Sequence, residues 1–353
     1  MLRTTTRPPL VALALTVASL SGLVTFARTT AEGDLPKIRL IATGGTIATR
    51  GNARLTAEEI LELVPGLSRF AKPEAEQFAN VASTALTLEQ WVQLAKRVNA
   101  IFETESGVNG IVITSGTDSL EELAYFLHLT VDSSKPVVVV GAMRNAGATG
   151  YEGGANLQDA FRVAAAPESN NKGVLVVLND EINSAREVTK TDAQRLQSFQ
   201  TRSYGVLGIV DPDRVVYYRE ATRRHTAKSE FDVSSITTLP RVDVLMFYQG
   251  ASGDLLRAAV DYGAKGIVIA MAGADITGGT LAPGMAYAAR QGVAVVAATR
   301  TGSGRIAALS GNRLREGVIA AEDLSAVKAR VLLMLALTKT RSAPEIQRMF
   351  TEY

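Results

Sequence analysis

Apolar and polar positions along this chain follow two periods, and the points where one gives way to the other mark out its elements. The run Lys37-Ile38-Arg39-Leu40-Ile41-Ala42 leads into Gly44-Gly45, with Thr46 directly after. It reads as a buried strand ending in a tight turn that presents Thr46. The glycines permit positive φ and let another group approach the backbone closely. At the carboxyl end of a first parallel strand such a turn commonly faces the ligand. Residues 49–55, polar with a single glycine, read as a mobile loop. Thr56-Ala57-Glu58-Glu59 has the capping-box pattern and opens a helix with Ile60, Leu61, Leu63 and Val64 on its apolar face, stopped by Pro65-Gly66. Thr87-Leu88-Glu89-Gln90 repeats that logic before a longer helix whose Trp91, Leu94, Ala95, Val98 and Ile101 recur at helical spacing, with Trp91 assigned to the core.

The same alternation continues. Residues 110–114, 136–140 and 173–178 read as buried strands, each followed by a polar or Gly-rich turn. Ser119-Leu120-Glu121-Glu122 reads as a third capping box, and another helix is expected near 156–166. Residues 218–240 change character: Arg219, Arg223, Arg224, His225 and Lys228 with few apolar positions suggest a solvated connector. Beyond it, 242–247, 265–270 and 292–298 are strand-like, 326–337 is a strongly apolar helix and 343–353 an amphipathic one. Strands alternating with helices indicate an α/β fold of two α/β domains. The larger N-terminal one, 36–217, carries a mainly parallel sheet flanked by helices. A linker at 218–240 joins it to a smaller C-terminal α/β domain at 241–353.

Composition narrows the chemistry. Of 353 residues, 46% are hydrophobic and 20% charged, which marks a globular chain with a substantial core. There is no cysteine, and His128 and His225 are the two histidines, so disulfides, thiolate metal sites and a His-rich zinc site are excluded. No cofactor or metal is expected. Arg3 and Arg7 precede a mostly apolar stretch at 10–24, and Thr29-Thr30-Ala31 or Thr25-Phe26-Ala27 offers a small-residue cleavage site. The apolar run falls short of the roughly 20 residues a membrane span needs. Residues 1–31 therefore read as a signal peptide, with the mature protein periplasmic or secreted and not in a membrane. Losing Arg3, Arg7 and Arg28, with no acid, takes the formal charge from +2 to −1. The basic balance then gives no reason to expect nucleic acid as a partner.

Three polar constellations stand at strand ends or turns: Thr46, Thr117-Asp118 and Thr189-Lys190-Thr191. A threonine hydroxyl is a poor nucleophile until a base takes its proton. With no histidine near these turns, lysine is the available base, provided burial or cationic neighbours favour its neutral form. Asp118 would hold Lys190 or grip a substrate ammonium, and backbone N–H groups at the glycine turns could stabilise an oxyanion. The set suits acyl transfer from an amide through an ester intermediate.

The ordered motifs resemble those of the bacterial-type L-asparaginases, particularly the exported type II group. Ile41 to Ala48 matches a first signature; Ile113-Thr114-Ser115-Gly116-Thr117-Asp118-Ser119 matches a second with two changes. Gly141-Ala142-Met143-Arg144, Val177-Leu178-Asn179-Asp180, Glu187-Val188-Thr189-Lys190-Thr191, Phe231-Asp232-Val233-Ser234, Lys328-Ala329-Arg330-Val331-Leu332-Leu333 and residues 346–353 extend the likeness over nearly all of the chain after residue 36. The resemblance implies an amidohydrolase that converts asparagine to aspartate and ammonia, with side activity on glutamine, working as a homotetramer with sites between subunits. It implies catalytic roles for Thr46, Thr117, Asp118 and Lys190, with Thr46 the first nucleophile and Lys190 the base toward Thr117. It also implies a substrate site formed by Gly45, Ser83, Thr84, Gly116, Thr117, Asp118 and Ala142, in which Ser83 takes the carboxylate and Asp118 the α-ammonium.

The chain departs from that pattern in several places. The family's lid carries a tyrosine that pairs with the first threonine; here the loop is shorter, Leu55 holds the matching place, and no tyrosine lies between Thr46 and Thr117. Ser115 replaces a histidine and Ser119 a threonine. Asp275 stands near the place of an asparagine that reaches the neighbouring site, and 301–315 has no clear match to a lid-supporting glutamate. A weakly active or non-catalytic amino-acid binder is the alternative. A nucleotide-binding protein is disfavoured, because G-x-x-x-x-G-K-[ST] is missing and no G-x-G-x-x-G follows the first strand.

Overall fold

Strand β1 (Lys37–Gly44) leads through a small hairpin, β2 (Thr49–Arg50) and β3 (Ala53–Arg54), and helix α1 (Ala57–Glu62) to β4 (Lys72–Val81). There follow α2 (Leu88–Thr104), β5 (Val108–Thr114), α3 (Leu120–Thr130), β6 (Val137–Val140), α4 (Gly153–Ala165), β7 (Val174–Leu178) and β8 (Glu181–Ser184). A short ladder of β9 (Thr189–Lys190) with β10 (Phe199–Gln200), then β11 (Gly208–Val210) and β12 (Val215–Tyr217), complete the larger half. The order across the larger sheet is β12-β11-β8-β7-β6-β5-β1-β4. The stretch from β4 to β7 is parallel, and the β7-β8-β11-β12 end is antiparallel. The smaller sheet, β13 (Val242–Met246), β14 (Gly266–Met271), β15 (Ala294–Thr299) and β16 (Val318–Ser325), is parallel and in chain order. Helices α5 (Asp254–Asp261), α6 (Ala282–Arg290), α7 (Ala326–Lys339) and α8 (Ala343–Glu352) pack around it. This computed structural model describes Met1 and residues 34–274, 278–307 and 317–353. The expected leader (Met1 apart), Asp275 and residues 308–316 lie outside the described residues. Among those described, no helix is long and apolar enough to cross a membrane.

Residues of the central strands alternate between two cores because successive side chains leave opposite faces of a sheet. Ile113, Val139 and Val176 face α2 and α3, while Val112, Val138 and Leu175 face α1 and α4. The first core continues without a break into the smaller sheet. Val331–Ala336 of α7 are fully buried in it, between α3 on one side and Val268, Val296 and Ile319 on the other. A helix clasped on several sides must be apolar all round. That is why this segment reads as so hydrophobic. Residues 35–353 accordingly form one compact unit.

Four readings need correction. Residues 49–55 are not a loose loop: Gly51-Asn52 closes a two-residue hairpin, with Gly51 at φ 59°. Strand β4 was not expected, because its sequence has no apolar alternation. It is an edge strand whose register is marked by charge: Arg39 meets Glu74 at 2.7 Å, Glu76 at 3.0 Å and Glu105 at 2.6 Å. The first two capping boxes form, but Ser119 makes no side-chain cap. Its backbone is not in the extended conformation a capping residue needs, and Glu122 faces Arg330 at 3.5 Å instead. Finally, the connector is not merely solvated. His225 is buried against His128 with ring centroids 5.1 Å apart, and burial holds both imidazoles below their usual range. Arg224 pairs with Glu352 at 2.6 Å, and Arg219 with Glu187 at 2.5 Å. These basic residues strap the connector to its surroundings.

The turn between β7 and β8 is tied to the end of β6. Asn179 and Asp180 both adopt positive φ, 58° and 63°. Asn156 ties this turn to the end of β6, accepting from Asn179 N at 2.9 Å and donating to Gly141 O at 3.0 Å. Asp159 faces the carboxyl group of Asp180. Burial, then the hydrogen bond with Asp180 and the neighbouring charge, push its acid from the ordinary 3.8 up to about 7. Between those values the unfolded chain has released the proton and the folded chain has not, so the group's contribution to stability falls as pH rises across that window. Asp159→Asn, whose amide can still donate, is expected to gain thermal stability relative to the parent at pH 8 but not at pH 4; melting curves at both values check this.

Candidate active site

The first turn is held at every step. Gly44 and Gly45 have φ of 103° and 84°, and a side chain on Gly44 would overlap the backbone of Val81. Gly45 N donates to Val81 O at 2.9 Å, and Thr49 Oγ1 to Gly45 O at 2.9 Å. Tyr151 OH reaches across from the loop before α4 to donate to Ile47 O at 2.9 Å. Thr46 thus stands half-buried on a fixed backbone.

The second turn, 115–118, follows β5. Thr43 Oγ1 donates to Thr114 O at 2.7 Å, which locks the ends of β1 and β5 side by side. A Cβ on Gly45 would overlap Gly116 N and Cα, so the two turns touch backbone to backbone. Ser83, on the 3₁₀ turn after β4, packs against Gly116, and its Oγ accepts from Ser119 N at 3.4 Å, leaving its own proton without an acceptor among the described residues. Together the turns line a cleft of about 100 Å³: Gly45, Thr46 and Thr49 from the first, Ala82 and Ser83 beside them, Gly116, Thr117 and Asp118 from the second, and Arg54 from the hairpin. That is well below the roughly 300–1,000 Å³ typical for drug-sized ligands, and it suits a molecule the size of a free amino acid.

Lys190 completes the constellation. Its Nζ donates to Thr117 Oγ1 at 2.9 Å and to Asp118 Oδ1 at 2.7 Å. The lysine side chain is 16% exposed and the Asp118 side chain 70%, so the ammonium is shielded while the carboxylate opens to the cleft. Behind Lys190, Glu121 Oε1 accepts from Thr189 Oγ1 at 3.0 Å and Lys190 N at 3.1 Å. Lys328, on α7, is fully buried 3.9 Å from Glu121 Oε2, and donates to Arg186 O at 3.1 Å and to Val188 O. Burial lowers its pKa to about 8, against the attraction of Glu121. Arg186 forks onto Asp323 at 2.7 and 2.8 Å. The smaller sheet thereby grips the strand that carries Lys190.

A model described as the asparaginase N-terminal domain matches residues 37–223. A second, the glutaminase/asparaginase C-terminal domain, matches 241–350. The chain belongs to the bacterial-type L-asparaginase family. It is 42% identical to L-asparaginase 2 of Bacillus subtilis (strain 168), over 94% of this chain and 90% of that protein. It is 38% identical to L-asparaginase 2 of Escherichia coli (strain K12), over 90% and 94%. The crystal structure of a probable cytoplasmic L-asparaginase from Campylobacter jejuni superposes with a TM-score of 0.84 at 40% identity, covering 90% of this chain and all of that one.

In this asparaginase-family chain Thr46, Gly45, Ser83, Gly116, Thr117 and Asp118 share one cleft, and Lys190 reaches it through hydrogen bonds. Thr84 is exposed and outside the lining, and Ala142 is buried in the core. Leu55, in the place of the lid tyrosine, is buried too, and no tyrosine lines the cleft among the described residues. Sequence reasoning gave no role to Glu121, which lies inside the segment read as a capping box, or to Lys328, which it quoted within a family segment without assigning it a contact. It also missed Tyr151 and Arg54. Lys328→Met strips a donor from two buried carbonyls and leaves Glu121 facing an apolar group. A loss of about 2–4 kcal/mol is expected, together with lower activity through the displaced Lys190, as read by chemical denaturation and steady-state rates.

Proposed function

We propose that the protein hydrolyses L-asparagine to L-aspartate and ammonia through an acyl-enzyme on a threonine. The observation that carries this reading is Lys190 Nζ placed 2.9 Å from Thr117 Oγ1 and 2.7 Å from Asp118 Oδ1, beside the cleft that holds Thr46. Thr46 Oγ attacks the carboxamide carbon, its proton is passed to the amide nitrogen, and the tetrahedral adduct collapses with cleavage of the C–N bond and loss of ammonia, leaving an ester on Thr46. Water then attacks the ester, with Thr117 and Lys190 passing the proton, and aspartate departs. Asp118 faces the substrate ammonium and the free Ser83 proton its carboxylate. Glutamine, one methylene longer, is a slower substrate of the same site.

A second reading, an amino-acid binder with little turnover, draws support from the buried Leu55, since no lid tyrosine stands over Thr46. A turnover number in the usual range of roughly 1–10³ s⁻¹ rejects it. The working form we propose is a homotetramer of an exported protein. Exposed Val244, Met246, Tyr248, Leu255 and Tyr262, gathered on edge strand β13, the turn after it and α5, support burial of that face between copies. Light scattering of the mature protein should give four times the chain mass.

Ammonia release on asparagine and glutamine, measured side by side, tests the reaction. Thr46→Ala and Lys190→Met are each expected to lower kcat by about 10²–10⁴-fold. Full activity in both variants contradicts the mechanism.

A further inference from the structure

The cleft contains a cation that the proposed mechanism leaves without a task. Arg54 ends the β2–β3 hairpin and lines the same cavity as Thr46, Ser83 and Asp118. Its backbone is fixed on both sides. It pairs with Thr49 across the hairpin, and Thr49 Oγ1 donates to Gly45 O at 2.9 Å. The next residue, Leu55, is buried, with its N–H donating to Ala48 O at 2.7 Å and its carbonyl accepting from Asn80 Nδ2 at 3.1 Å. The backbone that carries the guanidinium is therefore fixed at the rim of the cleft. The guanidinium itself is exposed and makes no hydrogen bond or ion pair among the described residues. By contrast Arg39, Arg97, Arg186, Arg219, Arg224 and Arg348 are each engaged by carboxylates.

The charge balance of the cleft gives this unpaired cation a meaning. Asp118 and Arg54 are the charged residues in its lining and carry opposite signs; Asp118 is paired with Lys190 at 2.7 Å, whereas Arg54 has no such partner among the described residues. Free asparagine is a zwitterion. Its ammonium is answered by Asp118; its α-carboxylate meets only a neutral hydroxyl at Ser83 unless Arg54 takes part. A guanidinium presents a planar fork of donors that matches a carboxylate, and a charge-assisted pair of this kind is among the stronger hydrogen bonds available.

We propose that Arg54 is the charge partner of the substrate's α-carboxylate and makes a free carboxylate a requirement for productive binding. Arg54 is a specificity-determining residue and takes no part in the proton transfers. The proposal rests on the reading of the cleft as an asparagine site.

The test compares the full-length mature protein with Arg54→Gln and Arg54→Lys on L-asparagine and on L-asparagine methyl ester, following ammonia. Arg54→Gln is expected to raise KM for asparagine about 10–100-fold with kcat within a few-fold, and to leave kcat/KM for the methyl ester unchanged. Arg54→Lys should recover part of the loss, since it keeps the charge without the fork. Raising salt should weaken asparagine use by the parent more than by Arg54→Gln. An equal fall on both substrates, an unchanged KM, or a loss confined to kcat overturns the proposal. Calorimetric binding of L-aspartate separates it from the reaction itself. If the parent binds aspartate without releasing ammonia from asparagine, the catalytic reading fails, while weaker aspartate binding by Arg54→Gln still supports Arg54. Equal aspartate binding by parent and variant, or none by the parent, overturns it.

Discussion

Two hydroxyl-bearing turns, after β1 and β5, can act as one site only because their backbones touch. At the contact Gly45 stands against Gly116, and any side chain on Gly45 would occupy the space of Gly116 N and Cα. The register of the sheet creates this situation. β1 and β5 are neighbours in parallel pairing, so their carboxyl ends finish side by side. The Thr43–Thr114 hydrogen bond holds those ends together. Everything else around the cleft accepts that geometry: Ser83 fills the space over Gly116, and Thr49, Tyr151 and Val81 anchor the first turn from three directions.

The second requirement is that Lys190 arrive at Thr117 from a distant stretch of chain. Its strand is too short to hold itself. Glu121, Lys328 and the Arg186–Asp323 pair do this, and two of those partners, Lys328 and Asp323, belong to the smaller half of the molecule. The continuous core through α3 and α7 has a consequence for catalysis. The smaller sheet is part of the support for Lys190. Buried charge is an expensive way to build such a support; here Arg186, Asp323 and Lys328 find hydrogen-bond partners, while Glu121 Oε2 has only the Lys328 charge 3.9 Å away.

How far this was legible from residues follows from what each signal depends on. The buried parallel strands and the long helices announce themselves through periodicity, and Thr46, Thr117, Asp118 and Lys190 through strand-end placement and the family motifs. β4 escaped because an edge strand held by Arg39, Glu74 and Glu76 carries no apolar alternation. The connector looked solvated because its charges stand in the sequence far from the carboxylates, Glu187 and Glu352, that meet them in space. Ser119 looked like a cap because local pattern cannot reveal that Glu122 is drawn to Arg330, over two hundred residues away. The roles of Arg54 and Lys328 were hidden for the same reason, although Lys328 stood in a family segment: their meaning lies in what faces them.

The central claim is that contact between the two turns, and not merely the presence of their hydroxyls, makes the site. It is tested most directly by ammonia release from asparagine in Gly45→Ala, set against Gly263→Ala. Both glycines have similar φ, 84° and 91°, but a Cβ on Gly263 would meet nothing within 4 Å. Both variants carry the cost of a side chain at positive φ, and Gly45, at ψ −173°, adds backbone strain on the order of 1–3 kcal/mol to the clash with Gly116. Gly263→Ala should keep near-parent activity at a temperature where it is folded, and Gly45→Ala should lose at least about 10²-fold in kcat/KM. Near-parent activity in Gly45→Ala would contradict the account.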